Sequence, residues 1–341
     1  MEPMTFSQKY RDELLAEISS VIGDNKLPLY NMMRYQLGWV DEQGRPQPSW
    51  GGKMLRSALC LLTCEVVGGD WRKALPAAAS LEMVHNFSLV HDDIEDGSPQ
   101  RRHRDSLWKV WGQAQAINAG DAMFALARLA MLRLAIRGVP ETKVLRAVSR
   151  LDEACLQLTT GQYLDLSYEQ RLDIGVEQYL EMISGKTASL FACSLYLGAL
   201  VGCDDESLIN HLDKFGHKLG MAFQVQDDIL GIWGDGSATG KPPTWDIHRK
   251  KKTLPIVYAL EKSSGQQQQT LLTIYRQEHH NDADVASVRG ILEKLDTHNY
   301  VQRLAQDYHQ QAMEELKAAH LAPEATQRLR QAAEPLLGRT S

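Results

Sequence analysis

The side chains in this sequence that can do chemistry are carboxylates in two clusters, each with cations nearby. In 89-LVHDDIEDGSPQRR-102 an apolar run gives way to four acids in five residues and then to an arginine pair. Asp92, Asp93 and Asp96 stand at i, i+1 and i+4, so on a helix Asp92 and Asp96 face the same way. Carboxylates this close repel one another unless a cation lies between them. Mg²⁺ suits the arrangement, because it takes oxygen ligands and uses one or two carboxylates together with substrate phosphates. A solvated helix end is the plainer alternative.

A second cluster, 220-GMAFQVQDDILGIWGD-235, sets Asp227 and Asp228 among Val225, Ile229, Leu230 and Ile232. An unpaired charge is costly to bury, so acids on an apolar helix call for partners or a ligand. Gln224 stands one turn earlier and could point into the same cavity. Two Asp-Asp pairs on two apolar helices facing a shared cavity describe a metal site in the core of a bundle.

Cations flank both clusters. In 51-GGKMLR-56, Lys53 and Arg56 follow a Gly-Gly turn at a helix start. Glycine lets backbone come close to an anion there, and a helix N-terminus favours negative charge. Arg101 and Arg102 follow the first cluster, and Lys186 opens the helix of 187-TASLFACSLYLGAL-200. Lys241 lies in a Gly-rich loop after the second cluster, ahead of 249-RKKK-252, and His85 lies two turns before Asp92. Each alone reads as a surface residue, and His85 as a hydrogen-bonded core histidine. Together they resemble the metal-plus-Arg/Lys clamps that hold phosphoryl groups whose charge grows as they leave.

Helices must position these groups. Residues 8–22 carry Leu14, Leu15, Ile18 and Ile22 at helical spacing, and 54–67, 74–95, 115–137, 141–169, 176–201, 205–233, 253–262 and 283–319 continue the pattern. Breaks fall at Gly/Pro clusters such as 44-GRPQPSWGGK-53, 97-GSPQ-100 and 234-GDGSATGKPPTW-245. The polar segment 263-SSGQQQQT-270 reads as an exposed loop, and 279-HH-280 reads as loop and is assigned no metal role. Nothing repeats at a solenoid period, and no linker is long enough to separate one domain from another. The expectation is all-α: residues 1–341 as a single large helical bundle around a deep central cavity.

Bulk properties narrow the function classes. The chain has 341 residues, 43% hydrophobic and 23% charged, with a formal net charge of −6. That argues against a general nucleic-acid binder. The five cysteines, at 60, 64, 155, 193 and 203, follow no metal or redox spacing and read as core residues in a reducing compartment, with a cytoplasmic location expected. The N-terminal residues mix charges throughout and form no apolar signal core. The uncharged run 187-TASLFACSLYLGALVGC-203 is short for a membrane span and reads as a buried helix, so no transmembrane segment is expected.

With these residues in place, the chain resembles the trans-isoprenyl diphosphate synthases, or polyprenyl synthetases, from about residue 45 to 260. The motifs come in the family's order: 51-GGKMLR-56, 85-HNFSLVHDDIEDGSPQRR-102, 112-GQAQAINAGDAMFALA-127, 161-GQYLD-165, 185-GKTASL-190, 223-FQVQDDILG-231, 240-GKPPTWDI-247 and 251-KKTLP-255. The resemblance implies a homodimer that joins isopentenyl diphosphate to an allylic diphosphate. It implies Mg²⁺ as cofactor, three ions with diphosphate bound, held by Asp92, Asp96 and Asp227 with Asp93 and Asp228 in support. It further implies that Arg101, Lys186, Lys241 and Lys251 hold the allylic diphosphate. Lys53, Arg56, His85 and Arg102 hold isopentenyl diphosphate, and Thr187 and Gln224 lie near the developing carbocation.

Product length is set in this family near the residue five before the first Asp, here Phe87, with Ser88 next. A large ring there, without the two-residue insertion of many farnesyl-type bacterial enzymes, resembles geranylgeranyl diphosphate synthases. A twenty-carbon product is expected, with fifteen carbons as the alternative, then longer chains. An aromatic that simply fills core is the plain alternative for Phe87.

Some positions depart from the family pattern. Gly231 stands for the third Asp of the second motif, 103-HRD-105 for Gly-x-Pro, Ser57 for Pro, and Lys250 for the last Gly before Lys251. Two rival assignments are open. A non-catalytic partner subunit of a synthase usually loses acids that this chain keeps. A class I terpene cyclase needs a second metal motif that 281-NDADVASVRGILE-293 matches only superficially.

Overall fold

Apolar residues at helical spacing give the chain its architecture. The computed structural model describes residues 5–47, 52, 54–234, 244–277 and 279–337. It is all-α, as the periodicity predicts. The first helices are α1 (Thr5–Ile22), α2 (Pro28–Gln36), α3 (Leu55–Val66), α4 (Leu75–Glu95), α5 (Leu107–Trp111), α6 (Gln113–Leu132) and α7 (Glu141–Tyr168). Then come α8 (Val176–Ile183), a π-helical turn (Ser184–Ala188), α9 (Ser189–Gly202), α10 (Glu206–Trp233) and α11 (Trp245–His248). The chain continues with α12 (Leu254–Lys262), α13 (Gly265–Arg276), α14 (Asp282–Lys294), α15 (Thr297–Ala318) and α16 (Pro323–Leu337). Among the described residues the only strands are β1 (Gln100–Arg101) and β2 (Arg104–Asp105), an antiparallel pair.

The chain divides into two compact units, Met1–Cys155 with Cys193–Asn210, and Leu156–Ala192 with His211–Ser341. The divisions fall inside α7, α9 and α10 rather than in loops. In the first unit α4 packs along α6 through small residues. Ala77, Ala78, Ala79, Ala116, Ala119 and Ala127 are all fully buried, and Ser80 Oγ donates to Ala127 O at 2.7 Å. The C-terminal part of α9 lies backbone-to-backbone on α3: a Cβ added at Gly198 would come within 2.2 Å of Cys60 O. In the second unit Tyr179, Ile183, Val225, Leu254, Val257 and Val301 belong to one apolar core, and Ile232, Ile256, Leu271 and Val288 to another.

Several elements differ from what the sequence predicts. The segment 263–270 is not a loop, because α13 starts at Gly265 and buries Leu271, Ile274 and Tyr275. Glutamine is a good helix former, and Gln266, Gln268 and Gln269 occupy its exposed side. The run 283–319 is broken by Asp296 at φ +53, which separates α14 from α15. α2 and the β1–β2 hairpin carry too few apolar repeats to announce themselves. Cys60, Cys64, Cys155 and Cys193 are buried and Cys203 is partly exposed; all five are free thiols. No helix among the described residues is long and apolar enough to cross a membrane.

Lys252 fixes the end of α7. Its Nζ donates to Tyr168 O at 2.8 Å, to Glu169 O at 2.6 Å and to Arg171 O. A cation on the last carbonyls satisfies groups that the helix itself leaves open.

The α3–α9 contact is testable. Gly198→Ala pushes a methyl into the Cys60 carbonyl and should cost about 1–3 kcal/mol of stability, read as a lower urea midpoint.

Candidate active site

The first carboxylate cluster forms because α4 ends where its acids begin. The Asp96 N–H donates to Asp92 O at 2.8 Å and the Ser98 N–H to Asp93 O at 2.8 Å, closing the last turn. The β1–β2 hairpin then folds the arginine pair back onto the helix end. Arg101 Nε donates to Asp93 Oδ1 at 2.8 Å, and its Nη2 stands 3.6 Å from Asp92 Oδ2. The two neighbouring acids differ sharply. Asp93 is 2% exposed, Asp92 is half-buried and Asp96 is exposed. Burial pushes the Asp93 carboxyl up to about 6 against the pull of Arg101. Its second oxygen is buried without a hydrogen-bond partner.

Upstream on α4, a buried carboxylate organises the other cations. Glu82, 4% exposed, accepts from Ser57 Oγ at 3.1 Å and from Asn86 Nδ2 at 3.0 Å. It is the negative group that supports the charge of both Arg56 and Arg102. Burial still lowers Arg56 to about 10 and lowers Arg102. Arg102 lies against Gly52, where a Cβ would meet its guanidinium at 2.7 Å. Gly52 thus admits an arginine side chain. Burial, followed by Arg56, Arg102 and Arg101, holds His85 well below its ordinary value, so the imidazole is neutral. Glu82 was missed by the sequence reading; its signal was an acid between the core residues Leu81 and Met83.

Phe87 and Ser88 sit on the same helix. The Phe87 ring packs against Phe124 of α6 at 4.8 Å and edge-on to His91 at 5.5 Å. Ser88 Oγ donates to His85 O at 2.8 Å.

The second cluster repeats the split between neighbouring acids. Asp228 is 2% exposed and accepts three hydrogen bonds: from Tyr179 OH at 2.6 Å, Gln224 Nε2 at 3.1 Å and Leu254 N at 3.2 Å. Burial nevertheless pushes it up to about 7, with Tyr179 and Lys251 opposing. Asp227 is half-buried. Thr187 Oγ1 donates to Gln224 Oε1 at 2.8 Å, so Thr187, Gln224, Asp228 and Tyr179 form one chain of hydrogen bonds.

Lys186 lies in the π-helical turn, a distortion frequent at functional sites, and its Nζ meets Asp165 Oδ2 at 2.5 Å. The two motifs that carry this pair touch through glycine: a Cβ at Gly161 would come within 2.2 Å of Lys186 N. Lys251 is raised, because Asp246, Asp165 and Asp228 outweigh the effect of burial. Gly231 has no room for a side chain, since a Cβ there would stand 1.9 Å from Asp246 Oδ2. The space of the missing third acid is therefore taken by the Asp246 carboxylate, 6% exposed. Asp246 belongs to the motif 240-GKPPTWDI-247, and nothing in its local sequence points to this contact.

Lys53 and Lys241 lie outside the described residues. His280 is a buried structural residue, with Nδ1 2.7 Å from Ile247 O and Nε2 3.1 Å from Ile274 O. Asn281 accepts from the Ala283 and Asp284 N–H groups and so caps α14, which accounts for the superficial likeness to a cyclase metal motif.

Among the described residues no three His, Cys, Asp or Glu side chains converge into a closed metal cage. The donors still fit Mg²⁺. Asp92, Asp96 and Asp227 carry carboxylate oxygens with solvent access, and Mg²⁺ needs only one or two carboxylates when phosphate and water fill its other positions.

An all-α chain with two Asp-Asp centres, each with arginine or lysine side chains beside it, outlines a class of helical proteins able to bind a polyanion. Residues 39–292 match the polyprenyl synthetase family model, and the chain belongs to that family. It is 44% identical to a geranylgeranyl diphosphate synthase of Mycobacterium tuberculosis over 70% of this chain and 67% of that one. It is 42% identical to a (2E,6E)-farnesyl diphosphate synthase of the same species over 67% of this chain and 62% of that one. The matches thus span roughly two thirds of these relatives' length. The fold is similar to the crystal structure of a polyprenyl synthetase from Streptomyces coelicolor A3(2), with 36% identity, a TM-score of 0.91 and coverage of 98% of this chain and 100% of that one.

The state of His85 has a pH signature. Its folded pKa lies below the ordinary 6.5, so below that value the unfolded chain binds more protons and stability is lost as pH falls. Between about pH 7.5 and 5 the wild type should lose up to about 2 kcal/mol more than His85→Asn. Urea unfolding of both proteins at each pH measures the difference.

Proposed function

We propose that this protein joins isopentenyl diphosphate head-to-tail to an allylic diphosphate and that its main product is geranylgeranyl diphosphate. The observation that carries the reading is the division of labour in each Asp-Asp pair. Asp93 and Asp228 are buried and bonded inward, while Asp92 and Asp227 keep access to solvent. Each buried acid anchors its helix turn, and Asp92, Asp96 and Asp227 ligate Mg²⁺. Mg²⁺ held there, as three ions with diphosphate bound, would supply Lewis-acid stabilisation of the leaving group.

The remaining work falls to this chain's side chains. Arg101, Lys186, Lys241 and Lys251 hold the allylic diphosphate and take up charge as the carbon–oxygen bond breaks. Lys53, Arg56 and Arg102, with neutral His85 as a hydrogen-bonding group, hold isopentenyl diphosphate so that its double bond attacks the allylic cation. The Thr187 proton is committed to Gln224, which leaves hydroxyl lone pairs to face that cation. Released diphosphate takes the proton that the new chain loses. Phe87, backed by Phe124, closes the pocket in which the chain grows. The farnesyl relative favours fifteen carbons as the second reading.

We further propose a homodimer. Ile117, Leu129 and Leu132 on α6, Ile136 beyond it and Leu145 on α7 are 44%, 58%, 50%, 85% and 70% exposed. Large apolar side chains left exposed along α6 and the start of α7 favour an association surface. The free thiols and the buried positions of four of them suit a reducing compartment, the cytoplasm.

Two measurements test these readings. Purified protein incubated with Mg²⁺, labelled isopentenyl diphosphate and each allylic primer should give a dominant twenty-carbon alcohol after dephosphorylation. Phe87→Ala should shift it to longer chains, and an unchanged product would remove Phe87 from the floor. Light scattering should give twice the chain mass for the wild type, with Leu129→Glu/Leu132→Glu shifting it toward the monomer. A monomeric wild type rejects the dimer.

A further inference from the structure

We infer that Arg104 is a positioning residue for the isopentenyl diphosphate site: together with Tyr35 it clamps the β1–β2 hairpin so that Arg102 keeps its guanidinium against Gly52. The inference rests on the reading of Arg102 as a ligand of that substrate.

The hairpin needs such a clamp. Its turn residues, Arg102 and His103, have φ +52 and +62. Two consecutive left-handed residues favour Asn-Gly, and side chains there cost about 1–2 kcal/mol each. The ladder offers little in return, since it comprises only the pairs Gln100↔Asp105 and Arg101↔Arg104. An isolated hairpin is marginal even at greater length.

Arg104 supplies what the ladder lacks. Its Nη2 donates to Val40 O at 2.8 Å and its Nη1 to Tyr35 O at 3.3 Å. Its guanidinium carbon lies 3.9 Å from the centre of the Tyr35 ring. Tyr35 OH donates back to Asp105 O at 2.7 Å, and the ring, 4% exposed, meets Trp111 edge-on at 5.0 Å. The second strand is thereby fastened from side chain and main chain to α2 and the loop after it.

The clamp bears on one arginine more than the other. Arg101 has its own tether, the 2.8 Å bond to Asp93. Arg102 sits in the strained turn and depends on the backbone to present it to Gly52 and Glu82. This segment is 103-HRD-105, where the family pattern has Gly-x-Pro. A turn made by glycine and stiffened by proline is replaced here by a turn that is held from outside.

The test is calorimetric titration of isopentenyl diphosphate, and separately of an allylic diphosphate, into the full-length protein and its variants. Arg104→Ala should weaken isopentenyl diphosphate about tenfold or more, the loss of a charge-assisted hydrogen bond, and the allylic diphosphate less than about twofold. Arg104→Lys should not rescue, because an ammonium lacks the planar fork that reaches two carbonyls and stacks on a ring. His103→Gly in the Arg104→Ala background should restore most of the affinity by relieving the turn. Should Arg104→Ala fold poorly, Tyr35→Phe removes only the bond to Asp105 O and should show the same selective loss, about threefold. Equal loss for both diphosphates, unchanged affinity, or no effect of His103→Gly on the Arg104→Ala variant overturns the inference. Wild-type protein that binds neither diphosphate overturns the functional reading and this inference with it. A wild type that condenses its substrates beside an indifferent Arg104→Ala variant overturns the inference alone.

Discussion

Everything in the two carboxylate centres depends on burying one acid of an adjacent pair. Neighbours on a helix point about 100° apart, so when one carboxylate turns into the protein the other is turned outward at a fixed angle. Asp93 is held by Arg101 and Asp228 by Tyr179, Gln224 and Leu254 N. These bonds offset a desolvation that still raises both carboxyls, to about 6 and about 7. A carboxylate that is costly to bury is retained where it aims its neighbour. The same bonds tie distant segments to the site: the hairpin through Arg101, α8 through Tyr179, and the start of α12 through the Leu254 N–H.

Charge in the first centre follows the same logic. Arg56, Arg101 and Arg102 are gathered around α4, and bare guanidinium groups would repel one another. Asp93 and Glu82 lie among them, each buried and each hydrogen-bonded. Glu82 and Asp93 offset part of the charge of the three guanidinium groups, while Asp92 and Asp96 stay on the side open to solvent. His85 adds no charge to that balance, because the arginines and burial keep it neutral.

How much of this was legible in the sequence depends on what carried the signal. The acids, the arginine pair and the Gly-flanked cations could be read directly, because charge on an apolar helix is conspicuous. The helices with long stripes could be read too. What could not be read was anything decided by a contact remote in sequence. Nothing local says that Asp93 rather than Asp92 turns inward, or that Glu82 serves two arginines nearly fifty residues apart. Lys252 sits in a basic run that reads as solvated, yet its ammonium closes α7 some 84 residues upstream. The glutamine-rich segment hid a helix because its apolar anchors, Leu271, Ile274 and Tyr275, fall after the polar run rather than within it.

The positions that depart from the family pattern show the converse. Three of them, Ser57, Gly231 and His103, are matched by a group that occupies the space or does the work of the residue replaced. Ser57 stands for proline and gives its hydroxyl to Glu82 at 3.1 Å and to Ala78 O at 2.8 Å. Gly231 stands for the third acid, and the Asp246 carboxylate lies where that side chain would begin. His103 stands for glycine in a turn that Arg104 and Tyr35 hold from outside. Substitution and compensation lie next to each other in space, though often far apart in sequence. A motif scored residue by residue therefore records a loss at each of these three positions. The packing around them records an exchange: at Gly231 the carboxylate comes from Asp246, while at Ser57 and His103 hydrogen bonds to Glu82 and from Arg104 stand in for the backbone properties of proline and glycine.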